Sequence, residues 1–261
     1  MNSKKTVLIT GASSGLGLEF AKLFAEDFYD LILVARNKEK LEQVVKELTS
    51  EKVKVTVLVK DLADPKSPQE IFTKLQQDKI EIDVLINNAG FASHGKFAEL
   101  DEKNEMEEVQ VNVVTLTHLT KLFLSKMVER GEGKILNIAS TAAFVPGPLM
   151  AVYFATKAYV LSFSEALSEE LVGTGVTLSV LCPGPTKTGF QKRGHMQNAT
   201  LPNSHVMEAK EVVKIGYAGL MQGKTVIIPG LRNKLLTFGT RLAPRSIVRR
   251  QVMYANAEEI K

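Results

Sequence analysis

The sequence predicts a single doubly wound α/β domain built on a seven-stranded parallel sheet, followed by a helical C-terminal extension. Short β-branched runs alternate with segments of helical periodicity, and neither a long linker nor an internal repeat separates them. A chain of 261 residues that is 44% apolar can bury one substantial core. Strands are predicted at residues 5–10, 30–35, 53–59, 83–86, 133–138, 176–181 and 224–228.

The first strand leads into a glycine-rich turn and a helix. The run Lys5–Thr10 fits a strand buried on both faces, and residues 16–28 carry apolar side chains at helical spacing. Gly11 permits a tight turn, while Gly15 and Gly17 lack the Cβ atoms that would obstruct a phosphate or the helix packing. The helix N-terminus then offers free N–H groups to the anion. The spacing favours a dinucleotide site, and the alternative is an ordinary turn in a chain with 18 glycines.

Distinctive short motifs follow each of the first six predicted strands. In parallel α/β sheets, ligands bind beyond the carboxyl ends of the strands, so we expect these loops to form one crevice. In chain order the motifs are TGASSGLG at 10–17, Arg36, Asp61-Leu62, NNAG at 87–90, Ser140 and PGPTKT at 183–188.

The loop after the second strand favours NADP(H) over NAD. An NAD site usually ends this strand with an acidic side chain that binds the ribose hydroxyl, but this chain has Ala35 followed by Arg36. A guanidinium here would pair with a 2′-phosphate, and the hydroxyl groups of Ser13 and Ser14 can donate to the same group. The alternative is that Arg36 merely opens a charged, solvated helix.

A tyrosine and a lysine stand four residues apart, at Tyr153 and Lys157. On a helix this spacing places them on one face, where the ammonium group is expected to lower the tyrosine pKa from about 10. Ser140 lies thirteen residues before the tyrosine. The three predict hydride transfer to a carbonyl group, with Tyr153 as general acid and Ser140 as hydrogen-bond donor to the oxygen. Taken singly, Ser140 also fits a helix cap, Tyr153 a packed aromatic ring and Lys157 a solvated cation.

Together, these landmarks resemble the short-chain dehydrogenase/reductase family, single-domain Tyr-x-x-x-Lys type, from about residue 4 to about residue 229. The resemblance implies a Rossmann fold, a nicotinamide cofactor and a homodimer or homotetramer. It adds Asn112 to the catalytic group, at a break in a long helix, and the β-branched residues around it weaken a helix. The alternative for Asn112 is a buried amide. The resemblance assigns cofactor contacts to Gly11, Ser13, Ser14, Gly15, Leu16, Gly17, Arg36, Asp61, Leu62, Asn88, Ala89, Gly90, Tyr153, Lys157, Pro183, Gly184, Thr186 and Thr188.

The expected substrate is a ketone or aldehyde with a hydrophobic or acyl chain. Apolar residues flank the expected nicotinamide, and a lid is predicted over residues 191–206. The region resembles hydroxysteroid dehydrogenases and 3-oxoacyl reductases about equally. Alternatively, these side chains fill the core or a subunit contact. They are Phe91, Phe144, Val145, Leu149, Met150, Phe190, Met196 and Leu201.

Several other classes of protein and of site are disfavoured. The four histidines lack metal-ligand spacing, so no metal site is expected, and no nucleic-acid partner is expected either. The single cysteine, Cys182, ends an apolar run and is predicted to be a core residue. The first residues lead directly into a strand, and no apolar run approaches the roughly 18 residues of a membrane span. We expect a soluble cytoplasmic protein.

The tail divides from the rest of the chain at about residue 230. We predict a catalytic domain over residues 1–229 and a basic amphipathic extension over residues 230–261, packed on the same domain. Residues 231–250 hold six basic and no acidic side chains. One helix is predicted to end at Pro244 and a second to begin there. Either they pack on the body or a sister subunit, or they contact an anionic membrane or an acidic carrier protein. The apolar positions are Leu231, Leu235, Leu236, Leu242, Ile247, Val248 and Val252.

The function predicted from these observations is NADPH-dependent reduction of a carbonyl to an alcohol. Two non-enzymatic alternatives use the same fold. One is a regulator whose NADP(H) occupancy controls a partner contact, and the other is a membrane-associated scaffold acting through the basic tail. Turnover of a carbonyl substrate distinguishes the enzyme from both.

Overall fold

The computed structural model describes residues 4–188 and 206–257, and its central feature is a seven-stranded parallel sheet with helices on both faces. The predicted fold class is confirmed. The sheet order is β3-β2-β1-β4-β5-β6-β9, and β7 pairs separately with β8. The strands are β1 (Thr6–Thr10), β2 (Asp30–Ala35), β3 (Val55–Val59), β4 (Val84–Asn87), β5 (Gly133–Ile138), β6 (Val176–Leu181), β7 (Thr186–Lys187), β8 (Met207–Glu208) and β9 (Val226–Ile227).

The helices alternate with these strands along the chain. Most begin directly after the loop that leaves the carboxyl end of a strand, which is the arrangement expected of right-handed crossovers. They are α1 (Gly15–Glu26), α2 (Lys38–Leu48), α3 (Ser67–Gln77), α4 (Glu102–Val109), α5 (Leu116–Arg130), α6 (Ala151–Glu170), α7 (Ala209–Met221), α8 (Leu231–Gly239) and α9 (Arg245–Ala257).

The strand order reverses between β1 and β4, where Val7 is in register with Val84 on one side and Leu31 on the other. Crossovers from these two strands run to opposite sides, so the loops at their carboxyl ends part and leave a crevice. The glycine-rich turn after β1 and the NNAG segment after β4 therefore face one another. The ligand site is expected at this position.

Two apolar layers hold the sheet. On one face, Phe20 and Phe24 of α1 pack with Val212 of α7 against the strands; on the other, Ile71 of α3 and Phe123 of α5 do so. Burying each such side chain fully stabilises the fold by roughly 1.5–3 kcal/mol. Cys182 lies in a third cluster and is completely buried, and burial raises the pKa of its thiol to about 12, consistent with a core residue.

The helix that carries Asn112 is broken. Between α4 and α5, residues Gln110–Thr115 form a six-residue π-helix, at the β-branched stretch where the sequence predicts a distortion. The short pair β7 and β8 was not predicted, because two-residue strands that pair across a long sequence gap leave no local pattern. Within residues 4–188 and 206–257, no helix is both long and apolar enough to span a bilayer.

Candidate active site

The glycine-rich turn is pinned to the NNAG segment by hydrogen bonds. The hydroxyl of Thr10 accepts from the backbone N–H groups of Asn88 and Ala89, each at 3.0 Å, and the Asn88 amide donates to the Thr10 carbonyl at 2.9 Å. Gly11 has a φ of +67°, in the left-handed region. A Cβ at Gly17 would stand 2.4 Å from the Gly11 carbonyl oxygen. Only glycine therefore allows α1 to start so close to the turn.

This turn has the properties of an anion site. The first turn of α1 contains no acidic residue, so the positive end of its dipole is not neutralised locally. The bare glycine edge and the helix N-terminus together match the cradle that binds a dinucleotide pyrophosphate. The residues present therefore fit a nicotinamide dinucleotide.

Two adjoining cavities form the crevice, and they share Gly11, Ala89 and Gly90. The larger, about 540 Å³, extends from the glycine turn to the start of α6 and to the C-terminal helices. The smaller, about 280 Å³, lies at the carboxyl ends of β2 and β3. A crevice of this length accommodates an extended dinucleotide with room for a substrate at one end.

Most of the predicted cofactor residues line these cavities. Gly17 lies behind the turn, where it supports packing, and the remaining residues divide between the two spaces. The larger cavity is lined by Gly11, Ser14, Gly15, Leu16, Asn88, Ala89, Gly90, Tyr153, Lys157, Pro183, Gly184, Thr186 and Thr188, and the smaller by Gly11, Ser13, Arg36, Asp61, Leu62, Ala89 and Gly90.

Arg36 stands in the turn before α2 and does not open that helix. Asn37 caps the helix by accepting a hydrogen bond from the Lys40 N–H at 2.8 Å, and α2 begins at Lys38. The Arg36 guanidinium lies 3.7 Å from the Asp61 carboxylate, with both side chains more than half exposed. Such an exposed pair is weak and can release the arginine to a ligand. Lys40 and Lys60, which sequence reasoning missed, also line this smaller cavity.

Ser140 and Tyr153 are joined by a side-chain hydrogen bond at the wall of the larger cavity. Ser140 follows β5, and its hydroxyl also accepts from the Ala142 N–H at 3.1 Å, so it caps the short turn Thr141–Phe144 as well. Burial raises the pKa of Tyr153 to about 12, although the Ser140 hydrogen bond opposes that rise. The tyrosine is therefore protonated at neutral pH. The predicted lowering of its pKa is not found in the free protein.

Lys157 lies one turn along α6 from Tyr153, with its ammonium 5.7 Å from the centre of the tyrosine ring. The ammonium is buried and donates to the Ile138 carbonyl at 2.9 Å. Burial lowers the pKa of Lys157 to about 8, while the nearby carboxylate of Glu108 opposes that lowering. The side chain is still mainly charged at neutral pH. It lies over the face of the tyrosine ring, and burial has the largest effect on the pKa of the phenol.

Asn112, the fourth predicted catalytic residue, lies behind the cavity wall. Its amide donates to the Phe91 carbonyl at 2.9 Å and to the Thr156 hydroxyl at 3.2 Å, and its oxygen accepts from the Phe91 N–H at 3.2 Å. A Cβ at Gly90 would stand 2.9 Å from this oxygen and 3.5 Å from the Lys157 ammonium. The side chains of Asn112 and Lys157 therefore both approach Gly90. The structure brings together all four predicted catalytic residues.

Sequence reasoning missed a buried acid beside them. Glu108 is completely buried; one carboxylate oxygen accepts from the Ser93 N–H at 2.8 Å, and the other has no hydrogen-bond partner among the described residues. Burial raises the pKa of Glu108 to about 7, and its charge acts on both Tyr153 and Lys157. Glu105, one turn earlier, is also buried. In the run DEKNEMEE, the sequence indicates only a solvated acidic helix.

The substrate end of the larger cavity is apolar. Of the predicted lining residues, Val145 and Met150 are present there, Phe91 lines the smaller cavity, and Phe144 and Leu149 line neither. The C-terminal helices also contribute, through Leu236, Val252, Ala255 and Asn256. Phe190, Met196, Leu201 and the predicted lid up to residue 205 lie outside the described residues.

No group of three or more histidine, cysteine, aspartate or glutamate side chains is placed to bind a metal ion, as far as residues 4–188 and 206–257 are concerned. Of the four histidines, His195 and His205 lie outside that part of the chain. The ring of His94 forms a hydrogen bond at 3.0 Å with the carbonyl of Asn256, a residue that lines the larger cavity.

Comparison with known proteins decides the family. A sequence profile described as short chain dehydrogenase matches residues 5–199. The chain belongs to the short-chain dehydrogenase family. The resemblance seen in the sequence is thereby confirmed, and the short-chain dehydrogenase fold explains why one crevice holds both the glycine turn and the tyrosine.

Three similar members of the short-chain dehydrogenase family bear on the site. "Ketoacyl reductase HetN" of Nostoc sp. is 31% identical over 251 residues, covering 94% of this chain and 87% of that protein. A short-chain dehydrogenase from Sphingobium yanoikuyae in complex with NADPH is 37% identical, with a TM-score of 0.82, covering 91% of this chain and 93% of that one. The bulky-bulky ketone specific alcohol dehydrogenase from Comamonas testosteroni is 33% identical, with a TM-score of 0.77 and the same coverage of 91% and 93%.

Proposed function

We propose that this short-chain dehydrogenase reduces the carbonyl group of a hydrophobic or acyl-chain substrate to an alcohol, using NADPH. The observation that carries the proposal is the hydrogen-bonded pair of Ser140 and Tyr153. These two hydroxyl groups line the cavity where its apolar end meets the glycine-rich turn. A carbonyl oxygen bound there would receive a hydrogen bond and a proton from neighbouring groups.

The proposed cofactor contacts follow the two cavities. Residues 11–17 would hold the pyrophosphate, Arg36 and Ser13 a 2′-phosphate, and Asp61 with Leu62 the adenine. Asn88, Ala89 and Gly90 would border the bound dinucleotide, whereas Pro183, Gly184, Thr186 and Thr188 would border its nicotinamide end; Tyr153 and Lys157 would bind the nicotinamide ribose. When bound, NADPH supplies the hydride.

The proton is the contribution of the chain itself. Because burial holds the pKa of Tyr153 near 12, the phenol is protonated through neutral pH and is ready to act as an acid in the reducing direction. Ser140 donates to the same substrate oxygen and stabilises the charge that develops on it. A positioned general acid typically contributes about 10²–10⁴-fold in rate.

Lys157 and Asn112 support this transfer. As Tyr153 gives up its proton, the buried ammonium of Lys157, one turn away, stabilises the phenolate. Asn112 holds the backbone of Phe91 on one side and Thr156 of α6 on the other. We assign it the role of fixing α6, and with it the tyrosine and lysine, against the segment after β4.

Preference for NADP(H) over NAD(H) is a further part of the proposal. Three cations, Arg36, Lys40 and Lys60, line the smaller cavity, and Ala35 stands where an NAD site usually has an acid. The exposed carboxylate of Asp61 holds Arg36 only weakly. A phosphate would bind the guanidinium more strongly and could displace that carboxylate. The Sphingobium relative in complex with NADPH supports the same preference.

The substrate class follows from the apolar lining. Ala142, Val145, Met150 and Phe154 face the cavity from the body, and Leu236 faces it from α8. Burying a hydrophobic chain against such a wall favours binding by roughly 25 cal/mol per Å² of apolar surface. The names of the Nostoc and Comamonas relatives refer to a ketoacyl group and to bulky ketones, which agrees with this class.

A substrate panel tests the proposal. Purified protein is mixed with NADPH and with 3-oxoacyl thioesters, steroid ketones, aromatic aldehydes and, as polar controls, small hydroxyketones, while the absorbance of reduced cofactor is followed. Turnover is expected on the hydrophobic members, with a lower KM as the chain lengthens. Tight NADPH binding without turnover of any member would contradict the proposed enzymatic function. It would support a regulator whose NADP(H) occupancy controls a partner contact.

Assembly and location complete the proposal. The family resemblance leads us to expect a homodimer or homotetramer. We further propose that it is located in the cytoplasm and acts on small molecules, with no nucleic-acid partner. Sedimentation equilibrium of the full chain measures the assembly directly, and a monomer at micromolar concentration would contradict it.

A further inference from the structure

The two C-terminal helices expose an unusual amount of apolar surface. Half of the 16 large apolar side chains that are exposed in the described chain belong to residues 231–257. Their exposed fractions range from 41% at Met253 to 76% at Leu242. Isolated exposed leucines are ordinary, but eight such side chains on two consecutive helices and the turn between them indicate a contact surface. The set is Leu231, Leu235, Leu236, Phe238, Leu242, Ile247, Met253 and Tyr254, of which Leu236 also lines the larger cavity with part of its surface.

Six cations lie on these helices and on the turn between them. All six are exposed, no acidic residue lies between Leu231 and Arg250, and none of the six forms an ion pair with a described residue. They are Arg232, Lys234, Arg241, Arg245, Arg249 and Arg250. We call these eight apolar and six basic side chains the C-terminal face.

The C-terminal face is fixed to the mouth of the crevice. Asn256 is buried, and its amide donates to the Pro148 carbonyl at 2.7 Å, in the loop that leads into α6. Asn233 donates to the Pro229 carbonyl at 2.7 Å and so ties the start of α8 to the end of the sheet. The inner side of the same helices, including Val252 and Ala255, lines the larger cavity. A surface bound to the C-terminal face therefore lies beside the substrate entrance.

We propose that the C-terminal face docks on an anionic lipid bilayer and holds the crevice mouth against the membrane surface. A bilayer interface accepts both halves of this surface, because apolar and aromatic side chains enter the headgroup region while arginine and lysine bind lipid phosphates. Membrane binding does not depend on the proposed reaction. The reaction gives it a purpose, since hydrophobic carbonyl substrates partition into lipid.

A second copy of this chain is a poorer occupant. A two-fold contact would place the C-terminal face against itself, so its six cations would meet six like charges with no acid between them. An anionic bilayer supplies the opposite charge across the whole surface. Charge complementarity therefore favours the membrane.

The test is sedimentation of the full chain with vesicles of phosphatidylcholine alone or mixed with phosphatidylglycerol. We expect binding to the anionic vesicles only, weakening at least tenfold when salt rises from low to physiological strength or above. Reversing the charge of Arg245, Arg249 and Arg250 to glutamate is expected to abolish it. Leu235→Ser with Leu242→Ser is expected to weaken it while leaving all six cations in place.

The matched control reverses three exposed lysines on the opposite, β3 side of the molecule, Lys46→Glu, Lys52→Glu and Lys66→Glu. It changes net charge equally and is expected to keep vesicle binding. Thermal unfolding and turnover of a water-soluble ketone check that each variant is folded, and they also separate failure of this proposal from failure of the proposed reaction. Absence of vesicle binding, equal binding to neutral vesicles, or equal loss in the lysine control would overturn the proposal. So would dissociation of an oligomer by the arginine reversal without any vesicle binding by the native chain.

Discussion

Replacing the buried acid Glu108 with glutamine is expected to stabilise the protein above neutral pH. The carboxyl group is completely buried beside Glu105, and its pKa is raised from 4.5 to about 7, mainly by burial. A raised pKa means that the folded state holds this proton more tightly than the unfolded chain does. The stability linked to the proton is therefore fully present below about pH 4.5 and is lost as pH rises through about 7.

The size of the effect follows from the shift. At about 1.4 kcal/mol per pKa unit, moving from 4.5 to about 7 corresponds to roughly 3 kcal/mol between the two ends of the range. Glutamine keeps an oxygen that can accept from the Ser93 N–H, as one carboxylate oxygen does at 2.8 Å. It carries no charge to desolvate. The free energy of unfolding of Glu108→Gln is therefore expected to lack this pH dependence.

The assay is urea unfolding of the native protein and Glu108→Gln at intervals from pH 4.5 to pH 8.5. The difference in unfolding free energy between them is expected to grow by about 3 kcal/mol in favour of the variant, most steeply between pH 5 and pH 7. Glu102→Gln, at the exposed start of the same helix, is the control and is expected to show no comparable gain. A difference for Glu108→Gln that stays constant with pH would refute the reasoning.

Three further predictions test other parts of the account. Ala35→Asp with Arg36→Ile is expected to shift cofactor preference toward NADH by roughly ten- to a hundredfold, because a charge-assisted pair is lost and a carboxylate is gained; fluorescence titration of both cofactors measures it. Gly17→Ala is expected to cost about 1–3 kcal/mol in unfolding free energy through its clash with the Gly11 carbonyl, whereas Gly239→Ala, where a Cβ meets no atom within 4 Å, is not. NADPH affinity is expected to fall as pH rises through about 8, since Lys157 loses its charge there, and Lys157→Ala is expected to bind weakly at every pH.

The fold could be predicted closely because its strands are buried and locally encoded. Runs such as 30–35 and 176–181 are β-branched or apolar at all but one position each, and the structure has strands over the same residues. The ends were harder to predict: the last strand is only Val226–Ile227, because pairing with a neighbour and not composition decides where it stops. Motifs that follow strands were placed correctly, since parallel topology brings all those loops to one edge.

The sequence predicted which residues lie together at the crevice, but it did not predict their electrostatics. The four-residue spacing placed Lys157 near Tyr153, yet the ammonium lies 5.7 Å from the ring centre, and burial decides the phenol pKa. Glu108 could not be recognised, because an acidic run on a helix normally faces water and only its packing in the fold buries it. The contribution of Leu236 to the cavity was likewise hidden, since it depends on how α8 folds back over the site.

The most direct test of the central claim compares native protein with Tyr153→Phe for NADPH-dependent reduction of the best hydrophobic ketone, and for NADPH binding by calorimetry. The phenylalanine ring preserves the packing and removes only the hydroxyl that donates the proton. We expect the rate to fall by about 10²–10⁴-fold, with the dissociation constant for NADPH changed by no more than a few-fold. Near-native turnover in Tyr153→Phe, with NADPH binding intact, would contradict the assignment of Tyr153 as the acid and the mechanism built on it.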